Sequence, residues 1–302
     1  MLDQSGLFPS KLNRPWWHKP MRYIIGLGPI PKHIAFIMDG NRRYARYCGF
    51  QNSLIGHSKG FDQLTKIIEW CADFAVKELT VYAFSIENFK RSEDEINGLM
   101  ALFEQKLIQI LQEREMLVEK QVAFRFFGEK SYLPLKIQKL TAQLELFTKD
   151  FTKSAINVCI AYTAQDEMKR AIVYISKGIE KGLLTENDIN YGLISQCLDS
   201  RNSRKLDLLI RTSGEKRLSD FLLWQSSNCY VHFEDALWPD FDFWHLCKAI
   251  LCYQFNNKQI EYLNSKCNEQ LEHLMNDRIQ NFLLWMQEDK LNDLMRIAEI
   301  SC

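Results

Sequence analysis

The sequence predicts an α/β fold, a central parallel sheet flanked by helices, followed by a C-terminal helical tail. Short apolar runs rich in β-branched and aromatic residues alternate with longer stretches of helical period, the pattern of strand, crossover helix and parallel strand. The 302 residues are 46% hydrophobic, with 13 Gly and 7 Pro, enough to bury one large core or two smaller ones without staples. After residue 256 the strand pattern stops and apolar residues recur at a 3-4 spacing.

In chain order, residues 1–28 form an N-terminal segment carrying Trp16, Trp17, Met21, Tyr23, Ile24 and Ile25 beside Lys19 and Arg22. That composition suits either peripheral contact with a membrane interface or a segment folded over the core. HIAFIM at 33–38 reads as the first strand, 57–75 as a helix and ELTVYAF at 78–84 as the second strand. The longest helix candidate covers 93–119, with Ser92 and Glu95 as a capping box. Leu99, Leu102, Phe103, Leu107, Ile110 and Leu111 share one face of it, and periodicity favours core packing over the alternative of a cavity wall. VAFRFFG at 122–128, a helix at 133–149, INVCIAY at 156–162, a helix at 164–180, LDLLI at 206–210 and YVHF at 230–233 continue the alternation, and a helix starts near Asp240. Ile260, Leu263, Cys267, Leu271 and Leu274, then an interruption near Asn276, mark a tail that packs on the domain or on a partner. The expected division is residues 1–28, a catalytic domain at 29–256 and a helical tail at 257–302.

With 38 Lys+Arg against 38 Asp+Glu, no global field draws in nucleic acid, so any anion site is local. No apolar run reaches the roughly 18 residues of a membrane span. The start lacks the apolar core of a signal peptide, so a reducing compartment is expected. The 9 cysteines are odd in number, contain no CxxC and mostly sit in apolar runs, so they read as buried small hydrophobes.

Parallel strands place ligands at their carboxyl ends. Three ends are unusual: Asp39-Gly40-Asn41-Arg42-Arg43 after the first strand, Ser85 to Arg91 after the second, and Arg211 to Arg217 after LDLLI. Their arginines suit bidentate binding of phosphate oxygens. A lone Asp beside them suits Mg²⁺, which takes one or two carboxylates and completes its shell with water and substrate phosphate. The chemistry suggested is one or two diphosphates. Neither GxxxxGK[ST] nor a helix-opening GxGxxG is present, and the DDxxD pairs of the all-α trans-prenyl synthases are missing. His57 either bonds a phosphate or caps its helix.

HIAFIMDGNRRYA, GHSKGF, VYAFSIENFKR, LIRTSGEKRLSDFLLWQ and LWPDF together resemble the signature regions of cis-prenyltransferases, from about Pro29 to Phe255. Their wording is nearest to the eukaryotic, dehydrodolichyl-diphosphate-making branch. The resemblance implies helices forming an apolar tunnel over the sheet, and repeated condensation of isopentenyl diphosphate onto farnesyl diphosphate with cis double bonds. Carried over by residue, it implies that Asp39 holds Mg²⁺, and that Gly40, Arg42 and Arg43 cradle the allylic diphosphate. Arg211, Arg217 and Ser219 grip isopentenyl diphosphate, Arg91 contacts either substrate, and Asn88 and His57 assist orientation and proton removal. Phe84, Phe89, Phe221, Leu223 and Trp224 are expected in the core, some of them also bordering the tunnel, and Trp238 with Pro239 in a packed turn.

The resemblance has departures. Tyr230 stands where single-chain bacterial members carry a glutamate, and RIAEISC stands in place of an Arg-x-Gly ending. Both imply a heteromer with an accessory subunit resembling the Nogo-B receptor. Ser53 stands where the family usually has an arginine, so one phosphate interaction is absent or is supplied by Arg46. The family further implies peripheral attachment to the cytosolic face of the endoplasmic reticulum. A non-catalytic accessory subunit would have no need of Asp39 and the arginines, and a phosphate-ester hydrolase would want a nucleophile or paired metal carboxylates.

Overall fold

The structure is a computed structural model describing Leu7, residues 15–271 and residues 276–300, with side chains at 264 and 266–271 excepted. Strands β1 (His33–Ile37), β2 (Glu78–Ser85), β3 (Val122–Phe127), β4 (Ser154–Tyr162), β5 (Leu208–Arg211) and β6 (Tyr230–Phe233) form one sheet in the order β3-β4-β2-β1-β5-β6. Every pairing is parallel. Strand β1 is buried along its whole length. Its alternate residues serve two cores, Ile34 and Phe36 on one face, Ala35 and Ile37 on the other.

The helices are α1 (His18–Ile25), α2 (Asn41–Tyr47), α3 (Ser53–Asp73), α4 (Glu93–Gln112), α5 (Arg114–Lys120), α6 (Leu135–Thr148), α7 (Ala164–Glu180), α8 (Tyr191–Cys197), α9 (Phe243–Leu271) and α10 (Asp277–Ala298). Helix α3 starts earlier than its periodicity suggested, because Asn52 caps it by accepting from Leu54 N at 2.9 Å. The long helix expected over 93–119 is two. No apolar residue holds Gln112 to Glu115 against the core, and α5 re-anchors through fully buried Leu117. The Ser92 capping box does not form: Ser92 makes no side-chain cap, and Glu95 is committed to Arg91 at 3.0 Å instead. A short 3-10 turn at Trp238–Asp240 precedes α9, which runs unbroken through residue 256.

Helix α1 lies over the core by one face. Trp17 stacks on Trp244 at 4.8 Å, His18 stacks on Phe243 at 3.9 Å, and Ile25 is fully buried. Tyr23 and Ile24 stay exposed on the other face, as does Trp16 just before the helix. In the tail, Ile279, Phe282 and Met286 of α10 enter a third core with α7 and α8. Arg278 and Asn276 both donate to buried Asp188, at 3.1 and 2.7 Å, which pins the start of α10. Of the expected tail stripe, Ile260 is buried and Leu263 exposed, while the side chains of Cys267, Leu271 and Leu274 lie outside the described residues. Cys71, Cys159, Cys197 and Cys247 are buried free thiols; Cys229 and Cys252 are half-buried, Cys48 is exposed, and Cys267 and Cys302 are not described.

Candidate active site

The sheet order makes β2, β1 and β5 neighbours, so the three polar strand ends open on one rim. Ile37 is in register with Arg211, which ends β5 rather than following it. From there Arg211 Nη2 reaches Asp39 Oδ2 at 3.0 Å, while Nη1 donates to Ser219 Oγ at 2.7 Å and to the Arg217 carbonyl at 2.5 Å. Arg43 approaches the same Asp39 oxygen at 3.4 Å and donates to the Ser213 carbonyl at 3.1 Å. The Asp39 carbonyl accepts from Thr212 Oγ1 at 2.7 Å and from Trp238 N at 3.0 Å, so backbone and side chain are both fixed. Gly40 turns the chain from β1 into α2 with φ +113°, and a Cβ there would lie 3.1 Å from the Leu237 backbone. Burial pushes the Asp39 carboxyl up, but the hydrogen bond and charge of Arg211, with Arg43, outweigh it and hold it below the usual range. It is therefore ionised at neutral pH.

A second group gathers where α2, α3 and the end of β2 meet. Arg91 pairs with Glu95 at 3.0 Å, and Arg42 lies 3.9 Å from the same carboxylate. His57 sits one turn inside α3, which Asn52 already caps, so it is not the cap. Its Nε2 is buried without a hydrogen-bond partner. Burial, helped by the charges of Arg91 and Arg42 against Glu95, lowers its pKa to about 4. Asn88 Oδ1 accepts from Ser85 N at 3.1 Å, closing a capping box around the 3-10 turn Ile86–Lys90, so part of this side chain holds the turn in shape.

Below the rim runs a cavity of about 670 Å³. Asp39, Arg42, His57, Asn88, Arg91, Arg211, Arg217 and Ser219 line its polar end, and Leu64, Phe103, Leu107, Phe124, Ile156 and Ile160 are among the apolar residues beyond. Leu99, Leu102, Phe103, Leu107 and Ile110 of the α4 stripe all line it, so the face is a cavity wall as well as core. Gly40 and Arg43 do not line the cavity itself; Arg43 stands beside Asp39 at the rim, 3.4 Å from its Oδ2. Exposed Arg46 and half-buried Tyr230 also lie off the wall. Phe84 lines the cavity, Phe89 packs against the Phe84 ring at 4.9 Å, Phe221 is fully buried and Trp224 bonds Ser195, but Leu223 is exposed and not in the core as expected. Trp238 is buried, donating to the Gly60 carbonyl at 2.7 Å.

Sequence reasoning missed Glu95, Glu215, Lys106 and Leu7. Glu95 was masked by its capping-box position. Lys106 is buried in the apolar wall, over the Phe61 ring at 4.4 Å, and its place in the α4 stripe was the one local signal. Leu7 on the cavity wall had no such signal.

Among the described residues no group of three or more His, Cys, Asp or Glu side chains converges as a metal cage. One ionised carboxylate facing a phosphate-sized set of arginines fits Mg²⁺, which keeps water and substrate oxygens in its shell, and does not fit a protein-caged zinc.

Residues 37–261 match the prenyltransferase family model for undecaprenyl diphosphate synthase. The chain belongs to that family. This prenyltransferase is 46% identical over 261 residues to the dehydrodolichyl diphosphate synthase complex subunit of Homo sapiens, covering 85% of this chain and 78% of the human one. It is 39% identical over 232 residues to the corresponding complex subunit of Schizosaccharomyces pombe, covering 76% and 88%. Lavandulyl diphosphate synthase of Lavandula x intermedia, solved with dimethylallyl diphosphate, superimposes with a TM-score of 0.70 at 31% identity, covering 74% of this prenyltransferase and 95% of that chain.

Proposed function

We propose that this prenyltransferase is the catalytic subunit of a dehydrodolichyl diphosphate synthase, extending farnesyl diphosphate with isopentenyl diphosphate units through cis double bonds. The observation that carries the reading is an ionised Asp39 flanked by Arg211 and Arg43 at the mouth of a long apolar cavity. Anionic head groups belong at such a mouth and a growing hydrocarbon belongs in such a wall.

Arg211, Arg217 and Ser219 bind the diphosphate of isopentenyl diphosphate. Arg42 and Arg43 hold the allylic diphosphate, which Gly40 lets approach the backbone, and Arg91 stands between the two. As the allylic bond breaks, charge builds on the departing diphosphate, and the guanidinium groups gathered at the rim stabilise it. Bound Mg²⁺, held by Asp39, would supply further neutralisation of diphosphate oxygens. His57, neutral, offers a hydrogen bond for orientation rather than a fixed charge.

The human and fission-yeast relatives are named as subunits of a complex, and Tyr230 stands in place of a glutamate. Both support a heteromer with an accessory subunit resembling the Nogo-B receptor. No described helix is long and apolar enough to cross a membrane. The exposed Trp16, Tyr23, Ile24 and Leu27 support peripheral attachment to the cytosolic face of the endoplasmic reticulum.

The test is incorporation of labelled isopentenyl diphosphate with farnesyl diphosphate and Mg²⁺, with and without the accessory subunit. Long cis-polyprenyl products that require the partner support the whole reading. Strong activity of the chain alone removes the partner requirement, and no product from folded protein in either condition removes the enzyme.

A further inference from the structure

Glu215 has no role in the reading above, yet it sits between arginines assigned to different substrates. Its carboxylate pairs with Arg217 and lies 3.8 Å from Arg43 Nη1. Arg217 serves the isopentenyl side and Arg43, on α2, the allylic side. The loop that carries Glu215 is firmly placed: Ser213 N bonds the Ala236 carbonyl at 2.8 Å and Gly214 N the Glu234 carbonyl at 2.9 Å. Ser213 is also held in uncommon backbone for a residue with a side chain, at φ +81°. Arg43 grips the same loop at the Ser213 carbonyl and hydroxyl. One carboxylate thus stands between guanidinium groups assigned to two diphosphates, bonded to one and close to the other.

We propose that Glu215 couples the two diphosphate subsites. The first diphosphate to arrive, on either side, must displace the carboxylate from the arginine it takes, and its own negative charge drives the carboxylate out of the shared position. The second then meets an arginine already released. Displacement is paid for once, by the first anion, which is positive cooperativity in the sense of a linked equilibrium. Glu215 is a positioning residue here: it touches neither reacting carbon. The inference rests on the assignment of the two arginines to two substrates.

The experiment measures the dissociation constant of isopentenyl diphosphate by calorimetry, alone and with a saturating thiolo analogue of farnesyl diphosphate whose bridging sulfur blocks ionisation. It uses the assembly active in the incorporation assay and compares wild type with Glu215→Gln and Glu215→Asp. The ratio of the two constants reports the coupling, and direct repulsion between the diphosphates enters wild type and variant alike. The expected result is a ratio about fivefold larger in wild type than in Glu215→Gln, the low end of couplings between sites. Isopentenyl diphosphate alone should also bind Glu215→Gln about two- to fivefold more tightly, and Glu215→Asp should keep part of the wild-type ratio. An unchanged ratio in Glu215→Gln, or weaker binding of isopentenyl diphosphate alone, overturns the proposal while the substrate assignment stands. A wild type that binds neither diphosphate overturns that assignment and the proposal with it.

Discussion

Arg211 ends strand β5 and Asp39 follows strand β1, and the two side chains meet at 3.0 Å with the guanidinium almost wholly buried and the carboxylate one-third exposed. The pair is structural and chemical together. Asp39→Ala would leave a buried charge short of its counter-ion and so test stability as well as activity. Asp39→Asn keeps the volume and is the cleaner variant. It should lower elongation at least a hundredfold, on the scale of losing one preorganised electrostatic partner. Its melting temperature should fall by less than that of Asp39→Ala. Labelled-substrate incorporation beside thermal melts checks both, and near-normal activity in Asp39→Asn would sink the proposed metal role.

His57 gives a prediction in pH. Its imidazole is held neutral down to about pH 4, against 6.5 for an unperturbed histidine, chiefly by burial. Between those values the unfolded chain binds a proton that the native chain refuses. This contribution to stability is therefore fully present above pH 6.5 and is lost as pH falls toward 4. In substrate-free protein, Glu, Asp and other groups also titrate there, so the test is a difference. Urea unfolding at pH 4.5 and 7.5 should show wild type losing about 2 kcal/mol more than His57→Gln on acidification. Equal losses would show that His57 is not held neutral.

How much of this was legible follows from where the physical signals are local. Short apolar runs such as HIAFIM, alternating with helical stretches, read as covered strands, and their polar ends mark the rim, which is why Asp39, Arg211 and Arg217 were readable together. Ser92 and Glu95 had the spacing of a cap, but Arg91 and Arg42 compete for the Glu95 carboxylate and win, a tertiary fact no local pattern carries. The break at Glu113 likewise reflects which side chains find a neighbour. Periodicity favours core packing for the Leu99 to Ile110 stripe, yet the stripe also borders the cavity, since both need the same apolar face. Glu215 was visible as a letter in RTSGEKR, while its place between two arginines depends on α2 meeting the loop after β5.

Gly40 is predicted to be intolerant of any side chain. At φ +113° an L-residue is strained, and its Cβ would lie 3.1 Å from the Leu237 backbone, a contact tighter than most real Cβ contacts. Gly40→Ala should destabilise by about 1–3 kcal/mol and, by tilting Asp39, cost more in kcat than in the KM for isopentenyl diphosphate. Steady-state kinetics below the melting temperature separates the two. A variant with wild-type kcat would mean that the turn does not set the carboxylate's position.

The tail makes the last prediction. Phe282 of α10 is fully buried against Gly178 of α7, so close that a Cβ on Gly178 would fall 2.5 Å from its ring. That fit helps close the third core, which joins α10 to α7 and α8. Phe282→Ala removes a whole aromatic ring from a site walled by Leu184, Leu193 and Met286, and the cost should be about 3–5 kcal/mol. If α10 is part of the cooperative unit, urea unfolding will stay a single transition shifted to lower denaturant, with elongation at low temperature retained. If α10 detaches on its own, the variant will show an early transition and the global midpoint will hardly move. The Asp188 anchor distinguishes these further: Arg278→Ala strips the bidentate contact at the helix start and should weaken α10 in the same direction, by less, because Asn276 still donates to Asp188 at 2.7 Å.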